Sequence, residues 1–339
     1  MAEGEGIREI RDSRGRRIKY LRLSITGRCN LRCLYCMPPK EAGRYEADRA
    51  GESLSFGELF RCCAALAEWG VERIKITGGE PLVRRGAVDF IAALKKLPGI
   101  RQVTLTTNGL LLEKNLDRLV EAGLDGLNIS LDTLDRDTFR RLTRCSGLDR
   151  VLRALSASVD RGLRVKLNCV PLRGINDWEI PALAALARDR PAAVRFIELM
   201  PLGAAAAYEP LTGAETAARL ERHYGPLVPL AEKLGNGPAR YYGLPGFAGP
   251  IGFINPLSRG FCESCDRLRL TSQGFLMPCL AGGPVRDISA LLRGGGGEEN
   301  LMRAVLDLAA RKPAGHCFSG GPGIGDPESR RREMFRIGG

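Results

Sequence analysis

Six of the eleven cysteines in this 339-residue chain fall into two groups whose spacing suits metal or cluster binding. Cys29, Cys33 and Cys36 are spaced C-x3-C-x2-C, and Cys262, Cys265 and Cys279 are spaced C-x2-C-x13-C. Three thiolates on one loop can hold three irons of a cubane and leave the fourth iron open to a small molecule. A structural zinc site would need a fourth thiolate or a histidine to close its tetrahedron. The only histidines are His223 and His316, neither close in sequence to the first group, and Cys279 stands outside any second C-x-x-C pair. Both groups therefore read as three-thiolate cubanes in preference to zinc. Cys62, Cys63, Cys145, Cys169 and Cys317 occupy helix, strand or tail contexts and read as small buried hydrophobes.

Cations cluster near these thiols. Arg267 and Arg269 follow Cys265-Asp266, and alternation along an extended segment puts both guanidiniums on one face. Arg22, Arg73, Lys75, Lys166 and Arg195 end or line other apolar runs. Any one of them could be a solvated surface charge. As a set pointing inward they would be costly without an anion, and guanidiniums are planar donors matched to phosphate oxygens. A triphosphate would satisfy such a ring. The segment Thr77-Gly78-Gly79-Glu80-Pro81 adds two glycines over which a ligand can approach the backbone, and a carboxylate able to accept from an ammonium.

The elements that must position these groups show in the hydrophobic pattern. Candidate strands are 21–26, 73–77, 102–108, 126–132, 165–171 and 194–200. Between them lie amphipathic helical patterns at 56–69, 87–96, 112–122 and 148–161. Six strand–helix alternations predict parallel βα units, hence an α/β fold: a partial (βα)6 TIM-like barrel, with chemistry at the strand C-terminal ends. The expected division is a barrel over 1–235 and a C-terminal region over 236–339 that carries the second cysteine group and the basic tail. Residues 235–256, rich in Gly, Pro and aromatics, read as extended loop, and the tetraglycine 294–297 as surface loop.

A hydrophobic fraction of 44% and a charged fraction of 27% describe a globular chain with a full core. No apolar run approaches the ~18 residues of a membrane span, and the N-terminus has no signal-like apolar region, so a cytoplasmic location is the expectation. The net charge of +12 predicts an anionic partner without choosing between nucleic acid, membrane surface and polyphosphate. An odd cysteine count in a long cytoplasmic chain argues against a disulfide framework.

The first cysteine loop, with Tyr35 before its last cysteine, and the Gly-Gly-Glu-Pro segment resemble the radical S-adenosylmethionine superfamily. There, the amine and carboxylate of S-adenosylmethionine chelate the open iron, and one electron cleaves the sulfonium to methionine and a 5′-deoxyadenosyl radical. The resemblance implies a [4Fe-4S] cluster on Cys29, Cys33 and Cys36, with Tyr35, Gly79, Ser130 and Met200 contacting S-adenosylmethionine. Out of context, Ser130 and Met200 are strand or core residues. Four features narrow it to the two-cluster family that cyclises GTP at the opening of molybdenum cofactor biosynthesis: the order of the cysteine groups, Leu21-Arg22-Leu23-Ser24, Cys265-Asp266-Arg267-Leu268-Arg269, and the terminal Gly338-Gly339. This implies a second [4Fe-4S] cluster on Cys262, Cys265 and Cys279 whose open iron meets the guanine. It further implies GTP contacts from Arg22, Lys75, Thr106, Lys166, Arg195, Arg267 and Arg269, and a catalytic role for Gly338 and Gly339 at the active site. The implied partners are GTP, an electron donor and, downstream, a cyclic pyranopterin synthase, with neither nucleic acid nor membrane; oligomeric state stays open, a homodimer included.

Two other classes compete. A peptide-modifying radical enzyme usually carries more cysteines after the barrel than the three in cluster spacing here. A basic zinc protein that binds nucleic acid would account for charge and cysteines together, but it would leave the glycine, phenol and arginine placements at strand ends unexplained.

Overall fold

The computed structural model describes residues 8–37, 53–231, 234–235, 237–316 and 334–337. Its strands are β1 (Tyr20–Ser24), β2 (Arg73–Thr77), β3 (Gln102–Thr107), β4 (Gly126–Ser130), β5 (Val165–Cys169), β6 (Ala193–Ile197), β7 (Val228–Pro229), β8 (Arg240–Gly243), β9 (Ile251–Ile254), β10 (Arg267–Leu270), β11 (Phe275–Met277) and β12 (Arg286–Asp287). All lie in one sheet, ordered β12-β11-β10-β1-β2-β3-β4-β5-β6-β9-β8-β7. From β10 through β6 to β9 the pairing is parallel; only the two flanks are antiparallel.

The helices are α1 (Phe56–Glu68), α2 (Ala87–Lys95), α3 (Leu112–Glu121), α4 (Arg136–Thr143), α5 (Leu148–Asp160), α6 (Ile180–Ala184), α7 (Gly213–Tyr224), α8 (Gly297–Ala310) and the short α9 (Met334–Ile337). Alternation explains how the strands and helices meet. In β1, Leu21 and Leu23 are buried in the core, while Tyr20 and Arg22 point to the opposite face. The same split puts Ile74, Ile76, Val103, Leu105, Leu127, Ile129, Leu167, Phe196, Leu268 and Leu270 into that core. Helix α1 starts at a reciprocal Ser55–Glu58 capping box and buries Leu59, Cys62, Cys63 and Leu66. Burial pushes the Cys62 thiol up to about 12 and leaves it unreactive, and Cys63 and Cys169 are raised well above the usual thiol range in the same way. Cys317 lies outside the described residues.

Some sequence expectations change. The strands that follow β2 end earlier than their apolar runs, and β6 stops at Ile197, so Met200 sits three residues beyond it in the connecting loop. Residues 235–256 are not wholly loop: β8 and β9 lie within them, and β9 extends the parallel sheet beside β6. Glycines 294–297 join a π-helical turn, Leu291–Gly295, to α8; Gly294 adopts φ 119, which a side chain would disfavour. Among the described residues no helix is long and apolar enough to cross a membrane.

Candidate active site

Register aligns the inward-facing polar residues. Arg22 pairs with Lys75 on β2 and with Arg269 on β10, and Tyr20 pairs with Arg267. Like charges directly opposite on neighbouring strands repel, so an anion bound among them would stabilise this row. Burial, followed by the charges of Arg195, Arg22, Lys166 and Arg267, lowers the Lys75 ammonium well below its usual range. Burial likewise brings Arg22 down to about 10. Across the same space Arg195, 4% exposed, donates to Asn128 Oδ1 at 2.6 Å. Its Nε, and Oδ1 of the register-paired Asn168 on β5, are buried with no protein partner. Such orphaned atoms cost about 1–3 kcal/mol each unless a ligand meets them.

The first cysteine loop leaves β1 and is tied down on both sides. Arg32 and Leu34 donate backbone N–H groups to Thr143 and Leu142 of α4, both at 2.9 Å. The Tyr35 hydroxyl donates to Asp132 Oδ2 at 2.6 Å, and Asp132 Oδ1 accepts from the Val170 N–H at 2.8 Å. Cys29 Sγ accepts from Leu31 N at 3.4 Å and from Asn108 Nδ2 at 3.8 Å. Burial pushes the Cys29 thiol up to about 11 and Cys33 well above its usual value. Thiols so placed become ligands only where a metal's positive charge offsets that burial. They fit an iron cluster better than a free-thiol role.

The Gly78-Gly79-Glu80 turn works differently from its sequence reading. A Cβ on Gly78 would lie 2.5 Å from the Thr26 carbonyl oxygen, and one on Gly79 would lie 2.4 Å from that of Arg28. The glycines admit the chain that leads into the cysteine loop, while still lining the cavity. Glu80 is not left to meet an ammonium. Its carboxylate accepts from Leu82 N at 3.0 Å, Thr107 Oγ1 at 2.8 Å and Asn108 N at 2.7 Å.

The second group is assembled by a hairpin. Cys262 and Cys265 bracket a 3-10 turn that leads into β10, and Cys279 follows β11, which pairs antiparallel with β10. Burial raises the Cys262 thiol; at Cys265 burial is outweighed by Arg267 and then Lys312, so the thiol lies below its usual range. Among the described residues no three His, Cys, Asp or Glu side chains converge closely enough to hold one metal ion. The three thiols of each group line one common cavity, the donor type an iron–sulfur cluster takes.

One cavity of about 350 Å³ is lined by both cysteine groups and by Tyr35, Gly79, Ser130 and Met200, together with Arg22, Lys75, Thr106, Arg195, Arg267 and Arg269. Lys166 is the exception. It lines a neighbouring cavity of about 310 Å³ at the strand N-terminal ends and donates to the Leu234 carbonyl; Tyr20, Lys75 and Arg195 line both spaces. Gly338 and Gly339 lie outside the described residues. Sequence reasoning missed Asp132, Asn168 and His316 in the cavity wall. Asp132 and Asn168 could have been found, since the first lies two residues past the strand end that carries Ser130 and the second alternates with Lys166 on β5; His316 is placed by long-range folding.

Residues 23–187 match the family model for the radical SAM superfamily, and residues 192–318 match Molybdenum Cofactor Synthesis C. The fold agrees with a solved structure: SuiB of Streptococcus suis bound to precursor peptide SuiA superposes with TM-score 0.60 at 16% identity, covering 89% of this chain and 67% of that one. Fold and cysteine loop thus define a radical S-adenosylmethionine protein. Closer relatives are the GTP 3′,8-cyclases of Pelotomaculum thermopropionicum and Heliobacterium modesticaldum. The first is 43% identical over 97% of this chain and 100% of that protein, the second 44% identical over 97% and 99%. The chain belongs to the GTP 3′,8-cyclase family.

Proposed function

We propose that this chain cyclises GTP, joining C3′ of the ribose to C8 of the guanine in the first step of molybdenum cofactor biosynthesis. The observation that carries the reading is the cavity whose lining combines two three-thiol groups with a register-aligned row of cations. Cys29, Cys33 and Cys36 would hold the first [4Fe-4S] cluster, and Cys262, Cys265 and Cys279 the second. When bound, the first cluster with S-adenosylmethionine supplies the radical that takes the C3′ hydrogen. Tyr35, Gly79, Ser130 and Met200 place the S-adenosylmethionine. Arg22, Lys75, Arg195, Arg267 and Arg269 neutralise the triphosphate, Thr106 borders it, and Lys166 approaches from the adjoining chamber that Lys75 and Arg195 share. The buried walls keep water from the reacting carbon, and the fixed phosphates hold that carbon in line with the adenosyl group. Gly338 and Gly339 complete the proposal as the tail at the active site, with an external electron donor, a cyclic pyranopterin synthase as the downstream enzyme and a cytoplasmic setting.

The same proposal treats residues 1–235 as a partial barrel and 236–339 as the region that brings the second cluster. The connection from β9 to β10, residues 255–266, supports a curled sheet. In a flat sheet the seven strand spacings between β10 and β9 would separate these ends by about 34 Å. The connection must also return along the full strand length, because both strands run parallel to the central ones. Fully extended it reaches roughly 40 Å, and its 3-10 turn and the Arg259-to-Asn255 backbone bond shorten it further.

The test uses anaerobically reconstituted protein, a reductant, S-adenosylmethionine and GTP deuterated at C3′. Deuterium in 5′-deoxyadenosine together with a new isomer of GTP is the expected result. Unlabelled 5′-deoxyadenosine would leave the radical chemistry standing and remove the GTP assignment.

A further inference from the structure

Lys312 is a buried lysine, 4% exposed, two residues past the end of α8. Its Nζ donates to the carbonyl of Arg267 at 2.7 Å and to that of Pro278, and the thiols of Cys265 and Cys279 are close enough to act on its charge. Arg267 lies two residues after Cys265, and Pro278 directly precedes Cys279. One ammonium thus ties the two ligand-bearing segments of the second group together. The third segment is held by Arg16, which donates to the Cys262 carbonyl at 2.6 Å and to that of Pro313, beside Lys312, at 2.7 Å.

The two cations differ in their compensation. Arg16 is paired with the buried carboxylate of Asp12. Lys312 has no carboxylate partner among the described residues; the negative groups that act on it are Cys265 and Cys279. A buried ammonium without an anion is expensive. Its position is explained if the anion is the thiolate-bound cluster itself. The C-terminal turn of α8, whose Ala309 carbonyl accepts the Lys312 N–H at 3.0 Å, fixes the residue and favours a positive charge there.

We propose that Lys312 is a positioning residue of the second cluster: it clamps the Cys265 and Cys279 segments and, as an N–H donor and fixed positive charge beside the sulfurs, raises that cluster's reduction potential. This rests on the reading that Cys262, Cys265 and Cys279 hold iron. A nearby cation stabilises the more negative, reduced cluster, and hydrogen bonds to the sulfurs act in the same direction.

The experiment is an EPR-monitored redox titration of reconstituted full-length protein. It is repeated in a Cys29→Ser, Cys33→Ser, Cys36→Ser background that leaves only the second group to bind iron. Lys312→Met and Lys312→Arg are compared with the parent in both, with iron and sulfide content and a thermal melt for each. The expected result is a lower potential in Lys312→Met and one near the parent's in Lys312→Arg. Failure of Lys312→Met alone to load, with a normal melt, would support the clamp. Equal potentials in all three proteins would overturn the proposal, as would loss of loading in Lys312→Arg as well, since shape rather than charge would then decide. If the triple-serine parent binds no iron, the second-cluster reading itself falls, which is a separate outcome from the failure of Lys312.

Discussion

Asp132 accepts from the Tyr35 hydroxyl and from the Val170 N–H, and so joins the cysteine loop to the ends of β4 and β5. Tyr35→Phe deletes one hydrogen bond to a buried carboxylate, worth about 1.5–3 kcal/mol. We expect iron content to be retained and 5′-deoxyadenosine formation to fall by about tenfold or more, measured in single-turnover assays. Glu80 gives a pH signature. Burial outweighs its three hydrogen bonds and lifts its pKa from 4.5 to about 7. Between those values the folded chain binds the proton more tightly than the unfolded chain, so stability is highest at low pH and falls as pH rises through this window. The loss is about 3 kcal/mol if only this group contributes. Urea titrations of the apo chain at pH 5 and pH 7.5 should show this fall, and Glu80→Gln should flatten it. At this scale the cysteine groups were legible because spacing along a chain is itself the signal. The Arg16–Lys312 pair was not, because residues 296 apart in sequence meet only after folding.

Each element's contribution to the site depends on how closely its neighbours approach. The β2 exit passes so near the segment after β1 that Gly79→Ala must displace the Arg28 carbonyl, one residue before Cys29. We expect that variant to lose iron from the first group while keeping the second, so that iron per chain falls by about half against wild type. A variant with full iron would show that the loop can yield. The six central strands and four of the helices could be read because their alternation is regular and their cores are Leu-, Ile- and Val-rich. β7, β8, β11 and β12 could not, since they have two to four residues each and owe their existence to pairing with distant partners. α7 was missed despite a visible signal, the Thr212–Glu215 capping box. The strand ends were overextended for a physical reason: the apolar residues past each ladder turn aside to wall the cavity, as Leu131, Val170 and Leu199 do.

For the molecule as a whole, a net charge of +12 surrounds a cavity built for a polyanion. Raising salt from about 50 to 500 mM should slow GTP association by roughly tenfold, while dissociation changes little because the phosphate contacts are buried. Stopped-flow binding at several salt concentrations separates the two rates. The α/β character of the fold was evident from six strand–helix repeats, but the sheet's completion was not: β9 and β10, far along the chain, pair with β6 and β1 at opposite flanks. During synthesis this order has a cost. β1 and the first cysteine loop leave the ribosome early and β2 soon covers one edge of β1, yet the partner of its other edge, β10, is not complete until residue 270. From the end of β6 at Ile197 until β9 begins at Ile251, a nascent chain carries two bare parallel edges, at β1 and β6, of the kind that recruits other chains into aggregates. A chain stopped at residue 235 is frozen in that state, and we expect it to need a chaperone to stay in solution where the full chain does not.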